Sequence, residues 1–233
     1  MLRKQGLIIP VDKPLRWTSF DVISKVRVYL KYQCQIPKIK VGHAGTLDPL
    51  ATGLLIVCVG KSTKMISSLQ EEPKTYTGII RLGQSTPSLD GETEVDRTMP
   101  IQHVTPGLLQ QAVRSLTGPQ MQVPPVFSAI KLGGKRAYSM ARKQIDVEMP
   151  LRPVEIHSFE ASLENQTDVH FTVKCSKGTY IRSLARDLGE KMNTCAYLTS
   201  LRRTESGSYH VHKAFSIETF HTAFSNLIEL PEH

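Results

Sequence analysis

The sequence predicts an α/β protein of the α+β type: a large, mixed and mainly antiparallel sheet flanked by helices. Strand-like segments outnumber helical ones, and many neighbours along the chain stand close enough to pair antiparallel. In "DVHFTVKCS", Val169, Phe171, Val173 and Cys175 alternate as a half-buried strand requires. No repeat or low-complexity linker breaks the 233 residues. The expectation is one domain over 1–233, with a core at about 6–215.

"GLIIPVDKP" reads as a strand ending at a proline turn. "TSFDVISKVRVYLKY" follows as a helix, capped by Thr18 or Ser19, with Asp21 in its first turn. Its apolar face is read as Phe20, Ile23, Val26 and Leu30, leaving Lys25, Arg27 and Lys31 outside. A glycine-rich stretch precedes a strand at 54–59, a short helix at about 61–69 and the strand "KTYTGIIRL" at 74–82. Residues 85–100 are acidic and rich in turn formers, the composition of a mobile loop. "TPGLLQQAVRSLTG" has proline at its start and glycine at its end, as a helix prefers.

Residues 123–144 open with Pro-Pro, pass a Gly-Gly and carry Lys131, Lys135, Arg136, Arg142 and Lys143. They read as a basic hairpin followed by a short helix, within a protruding segment near 123–153. In "GTYIRSLARDLGEKM", Ile181, Leu184, Ala185 and Leu188 form one helical face, which leaves Arg182 and Arg186 on another. Strands at 195–202 and 207–213 and a helix near 216–228 complete the expectation.

The net charge is +8, and residues 1–64 carry all of it, with eleven Lys/Arg against three Asp/Glu. A basic region favours a polyanion, because each neutralised phosphate releases condensed counterions; a solvated basic face is the plain alternative. The longest apolar run, "LLIVCV" at 54–59, is far below the roughly 20 residues of a membrane span. "LIIPV" is too short for a signal peptide and is followed by Asp12. Four scattered cysteines without a Cys-x-x-Cys pair suit buried thiols in a reducing cytoplasm, and the eight histidines show no zinc-ligand spacing, so no metal is expected.

Two patterns mislead. "VGKST" resembles the end of a phosphate-binding loop, but the glycine required five residues upstream is Leu55. "GHAGTLDPLATG" does not fit the dinucleotide fingerprint.

Within that second stretch sits Asp48, before Pro49 and among basic residues. One reading is a turn former that accepts backbone N–H bonds. The other is a reactive carboxylate. Glycines at 42, 45 and 53 permit close approach of a backbone or ligand, and basic surroundings favour the ionised form that a nucleophile or base needs. A buried, ionised aspartate needs a partner, for which Arg182 at a helix start is a candidate.

"GHAGTLDPLATGLL" resembles the signature of the TruB family of pseudouridine synthases, which convert the T-loop uridine of tRNA, position 55, into pseudouridine. The likeness continues through "GLIIPVDKPLRWTSFD", "KTYTGIIRLGQST", "PPVFSAIKLGGKRAYSMAR", "CSKGTYIRSLARDLG" and "LRRTESG". The blocks keep family order over most of residues 6–215. The resemblance implies the pseudouridine synthase fold, with Asp48 as nucleophile, Tyr76 stacking on the target base and Arg182 pairing with the aspartate. By the same resemblance Tyr180 and Leu201 shape the uracil pocket, and His43 occupies space left by flipped bases. Lys64, near the motif, is either a phosphate contact or a solvated helix charge. Asp90 lies in the loop that resembles the family's "TDTxD" segment. The implied reaction breaks the glycosidic bond, turns uracil and reattaches it through C5. It needs no redox change, hence no cofactor. The target base must leave its stack for a pocket, where aromatic stacking contributes roughly 1–3 kcal/mol.

Three departures from the family pattern stand out. Pro87 replaces a usual aspartate, and Lys143-Gln144 stands where a glycine commonly closes the basic segment. The chain also ends without room for the PUA domain that many relatives append. The implied partner is the T-arm stem-loop of tRNA, with no membrane and no obligatory protein partner, acted on by a monomer in the cytoplasm. Two other classes compete: a noncatalytic RNA-binding module of the same fold, and a guide-RNA-dependent synthase. Asp48, Tyr76 and Arg182 together argue against the first, and the absent PUA domain against the second.

Overall fold

The strand Ala51–Val59 (β3) organises the first part of the chain, because its residues 54–59 are buried on both sides. The computed structural model describes residues 6–143, 145 and 147–220. These fall into two units, one built from residues up to Tyr76 together with those from Arg202 onward, the other from Thr77–Leu201.

In the first unit β3 pairs antiparallel with Leu7–Lys13 (β1) and with Val41–Ala44 (β2). The two-residue period of a strand divides its side chains between two cores. Leu55, Val57 and Val59 join Ile9, Val11 and the helix Ser19–Tyr32 (α1), whereas Leu54, Ile56 and Cys58 join Ala44. Full burial of each such aliphatic side chain contributes about 1.5–3 kcal/mol.

Thr18 caps α1 in a reciprocal box. The Asp21 N–H donates to Thr18 Oγ1 at 3.0 Å, and the Thr18 N–H donates to Asp21 Oδ2 at 2.8 Å. The buried face is Val22, Ile23, Val26, Tyr29 and Leu30, with Lys25, Arg27 and Lys31 outside as expected. Phe20 is not part of it. It is 64% exposed, because the stripe is centred on Val22 and Val26 and residue 20 falls on the far side of the helix. After β3 the chain makes a 3-10 turn at Gly60–Met65 and then the helix Ile66–Glu71 (α2), where one helix was expected.

The strand Lys74–Leu82 (β4) has the predicted bounds. Of the two strands expected near 200, the first runs longer than expected, as Ala196–Ser206 (β12), and the second is only the short Tyr209–His210 (β13), followed by a 3-10 turn at Val211–Lys213. The terminal helix expected near 216–228 lies largely outside the described residues.

The second unit holds the long strand Arg152–Leu163 (β10), paired antiparallel with Asp168–Cys175 (β11) and with Gly118–Gln122 (β7). Helix Pro106–Ser115 (α3) is capped by Thr105, whose Oγ1 accepts the Leu108 N–H at 3.2 Å. Residues 85–100 contain more structure than a mobile loop. Gln84–Ser85 (β5) pairs with Arg97–Thr98 (β6), and Thr86, Ser88 and Asp90 between them are buried. The basic hairpin is Lys131–Leu132 (β8) with Lys135–Arg136 (β9), followed by Ala137–Ala141 (α4). Helix Ile181–Lys191 (α5) completes the unit.

The hydrogen-bonded strand order is β1-β3-β12-β4-β11-β10-β7, with β2 on β3 and β13 on β12. The seven named strand pairings within the units are antiparallel, and parallel contacts occur as isolated bridges such as Asp90 with Leu198. This is the large, mainly antiparallel sheet with flanking helices that the sequence predicts. Among the described residues no helix is long and apolar enough to cross a membrane.

Candidate active site

Asp48 stands in the loop between β2 and β3, in a turn closed by the Ala51 N–H on the Asp48 carbonyl at 3.1 Å. Its neighbours are fixed on both sides. The buried Ser19 hydroxyl accepts the Leu47 N–H at 2.9 Å and donates to the Leu47 carbonyl at 3.2 Å. The Pro49 carbonyl accepts the Arg16 N–H at 2.8 Å.

Lys13 is buried beneath this loop. Its ammonium donates to the carbonyls of Trp17 at 2.6 Å, Pro14 at 3.0 Å and, at 3.5 Å, Pro49. Burial pushes its pKa down to about 8, against the pull of the Asp48 and Asp21 charges, while Arg203 pushes the same way as burial. A cationic group therefore lies within electrostatic reach of Asp48.

Arg203, also buried, ties the hairpin to β12. It donates from Nε to the Leu54 carbonyl at 2.6 Å and from Nη2 to the Gly45 carbonyl at 3.0 Å. At Gly53 the approach of β12 leaves no space for a side chain. The backbone φ is +99°, and an added Cβ would lie 2.3 Å from the Arg203 carbonyl oxygen.

His43, on β2 opposite Val57, is half-buried, and among the described residues its Nδ1 has no hydrogen-bond partner. Burial first, and then the Arg203 charge, lower its pKa, which keeps the ring neutral near pH 7. Tyr76 is half-buried near the start of β4. That start is anchored: the buried Lys74 ammonium clasps the Leu69, Gln70 and Glu72 carbonyls, and Thr75 Oγ1 donates to Glu205 Oε2 at 2.8 Å. Lys64 is exposed in the 3-10 turn after β3.

In the second unit Arg182 and Asp90 meet. Arg182 is 5% exposed and donates to the Ser88 carbonyl and the Phe127 carbonyl, each at 3.0 Å. Its Nε lies 3.6 Å from Asp90 Oδ2, and Asp90 is equally buried. The half-buried Arg186 shares the Arg182 face of α5, as expected, and donates from Nη2 to the Val123 carbonyl at 3.2 Å, in the same segment as Phe127. The Asp90 loop is fixed in turn, since Thr86 Oγ1 donates to the Asp90 carbonyl at 2.7 Å and Asp90 Oδ1 accepts the Glu92 N–H at 3.0 Å.

Tyr180 precedes α5 and packs with Ile130, Ala137 and Met149. The Gln122 side-chain amide brackets its backbone, accepting the N–H at 2.9 Å and donating to the carbonyl at 3.2 Å. Leu201 is half-buried on β12. Among the described residues no three His, Cys, Asp or Glu side chains stand together as a metal site would need.

The model of the TruB family pseudouridylate synthase N-terminal domain matches residues 31–181, and the tRNA pseudouridylate synthase B C-terminal domain matches 182–229. The chain belongs to the TruB family. Among its relatives, tRNA pseudouridine synthase B of Phocaeicola vulgatus is 48% identical over 93% of this chain and 92% of that protein. The Flavobacterium johnsoniae protein of the same name is also 48% identical, over 93% of this chain and 95% of its own length. Of solved structures, a Cbf5-Nop10-Gar1 complex matches with TM-score 0.71 and 26% identity, covering 95% of this chain and 55% of the matched chain. The chain thus spans about half of that solved chain. The family is one of pseudouridine synthases, and the chain is an enzyme of that class.

Four residues of this TruB chain received no site role from the sequence: Lys13, Ser19 (read only as a candidate helix cap), Gln122 and Arg203. Lys13, Ser19 and Arg203 lie inside blocks that carry the family likeness, "GLIIPVDKPLRWTSFD" and "LRRTESG", so position in a block was their only signal. Gln122 lies just outside one and has none.

Proposed function

We propose that this TruB-family chain isomerises uridine to pseudouridine at position 55 in the T loop of tRNA. The observation that carries this reading is the Asp48 loop, pinned through Leu47 and Pro49 on either side of the carboxylate, with Lys13 beneath it. A carboxylate that must act on one atom of a bound base has to be held before the base arrives.

In this reading the target base leaves its stack for a protein pocket. Tyr76, on its anchored strand, stacks on the uracil, and Tyr180 and Leu201 shape the pocket. Arg182 pairs with the Asp48 carboxylate, and Asp90 helps to hold Arg182. His43, neutral, fills space vacated by flipped bases, and Lys64 contacts backbone phosphate. Cleavage of the bond between uracil N1 and ribose C1′ frees the base to turn. C5 then bonds to C1′ and loses its proton, while N1 gains one, so atoms and electrons balance without a cofactor. Attack by Asp48 at uracil C6 and action at the ribose both require the ionised carboxylate. The chain works as a monomer on the T-arm stem-loop, in the cytoplasm, without an obligatory protein partner.

The test uses unmodified tRNA tritiated at uridine C5, because tritium leaves only when the new bond forms there. Wild type should release tritium, and Asp48→Asn should release none while still binding tRNA. Binding without release by wild type would leave an RNA-binding protein. Equal release by both would move the nucleophile elsewhere.

A further inference from the structure

Beyond the two ends of β2 and β3 that lie opposite the Asp48 loop, the first unit has a cleft of about 560 Å³. Lys38 and Lys40 line it from the segment before β2, and Lys61 and Lys64 from the 3-10 turn after β3. The floor is built. The Gly60 N–H donates to the Lys40 carbonyl at 2.8 Å, joining the two segments, and Thr63 Oγ1 donates back to the Gly60 carbonyl at 2.7 Å. Ser62 is buried so tightly under Gly6 that a Cβ there would lie 2.4 Å from the Ser62 nitrogen.

Four ammonium groups on one cleft repel one another, and among the described residues none meets a carboxylate. No carboxylate lines the cleft either. Four of the eleven basic residues of the first 64 converge here. Folding thus concentrates positive potential where nothing in the described chain compensates it, and an external anion is the natural counter-charge. Lysine, a compact charge on a long stem, suits a phosphate that need not be held in one orientation.

We propose that this cleft binds a phosphate of the substrate RNA backbone, in addition to the contact assigned to Lys64. The proposal rests on the RNA substrate argued above and adds where its backbone runs. The four-residue β2 separates the cleft from the Asp48 loop by on the order of 13 Å. A few nucleotides of one strand cover that distance. The bound phosphate therefore belongs to a nucleotide near, but not at, the target uridine. Lys38, Lys40 and Lys61 contribute affinity and register, and touch no reacting atom.

The test compares wild type with the triple variant Lys38→Ala, Lys40→Ala, Lys61→Ala, binding an unmodified tRNA transcript at salt from about 50 to 200 mM. The expected results are a roughly 10-fold weaker Kd at the low-salt end and convergence with wild type as salt rises. The log-log slope should shrink by about one per lost phosphate contact. The triple arginine variant should restore the affinity and the slope. A triple alanine variant with wild-type affinity and slope overturns the proposal, and so does an affinity loss that salt does not change. If the slope is retained while inorganic phosphate shifts the Gly60 and Lys61 amide resonances, the cleft takes a free anion and the RNA assignment falls. Tritium release is scored separately. A wild type that binds with this lysine dependence yet releases no tritium keeps the cleft and discards the reaction.

Discussion

Ser19 holds both backbone groups of Leu47, the residue before Asp48, with one buried hydroxyl that accepts the Leu47 N–H and donates to its carbonyl. Twenty-eight positions separate the two in sequence. The N-terminus of α1, fixed by its own Thr18 capping box, thereby becomes the support of the Asp48 loop.

Replacing Ser19 with alanine removes both bonds and leaves two buried backbone groups of Leu47 without them. Ser19→Ala should cost about 1–3 kcal/mol of stability. It should lower kcat by roughly 10-fold to 100-fold, because small displacements of a reacting group are expensive. KM for tRNA should stay within about twofold, since no RNA-binding side chain changes. Steady-state kinetics with urea unfolding would check this, and an unchanged kcat would deny the support role.

Gly53 tests the approach of β12 to β3. Alanine there must adopt φ near +99° and place its Cβ against the Arg203 backbone. Gly53→Ala should lose about 3 kcal/mol or more, or a melting temperature drop of roughly 10 °C. Gly118→Ala, where φ is also positive but a Cβ meets nothing within 4 Å, is the control and should lose less. Equal losses by calorimetry would show that backbone strain, not the close approach, sets the cost.

Elements whose burial follows one period were legible. β11 alternates and α3 buries one stripe, and the bounds of these two, of β4 and of α5 came through nearly unchanged. β10 was not legible, although it is the longest strand. Its register shifts between Ile156 and Ser158, so the alternation set by Val154 and Ile156 does not continue to Phe159. β7 opens with Gly118-Pro119, a turn signal rather than a strand signal. Asp90 and Ser88 read as loop because their composition is polar, yet both are buried around Arg182, a long-range pairing that no local pattern encodes. The same holds for the site. Asp48 stands out as a candidate from its glycine-rich block, but Lys13, Ser19 and Arg203 act on backbone groups, which carry no residue-type signal.

The buried pair Arg182 and Asp90 should show coupling. Arg182→Met leaves the Asp90 carboxylate buried without its cation and should cost about 3–5 kcal/mol. Asp90→Asn in that background removes the orphaned charge. The double variant should therefore be more stable than the sum of the single losses implies, by about 1–3 kcal/mol. Urea unfolding of the four proteins closes the cycle, and strict additivity would mean that the 3.6 Å approach carries no energy.

Lys13 makes stability depend on pH in a defined direction. The folded protein releases the Lys13 proton near pH 8, and the unfolded chain keeps it to about 10.5. Between those values the unfolded state binds more protons, so raising the pH favours folding. Below pH 8 the buried charge carries its full penalty, on the order of 3 kcal/mol for a shift of this size. Wild-type stability should therefore gain on that of Lys13→Met as pH rises from 8 to 10, even though the variant is less stable at pH 7 for want of a donor to the Trp17 and Pro14 carbonyls. Urea unfolding of both proteins at pH 7.5, 9 and 10 measures the difference directly. A gap that stays constant over this range would mean that folding leaves the Lys13 pKa near 10.5, so that burial beneath the Asp48 loop does not penalise its charge.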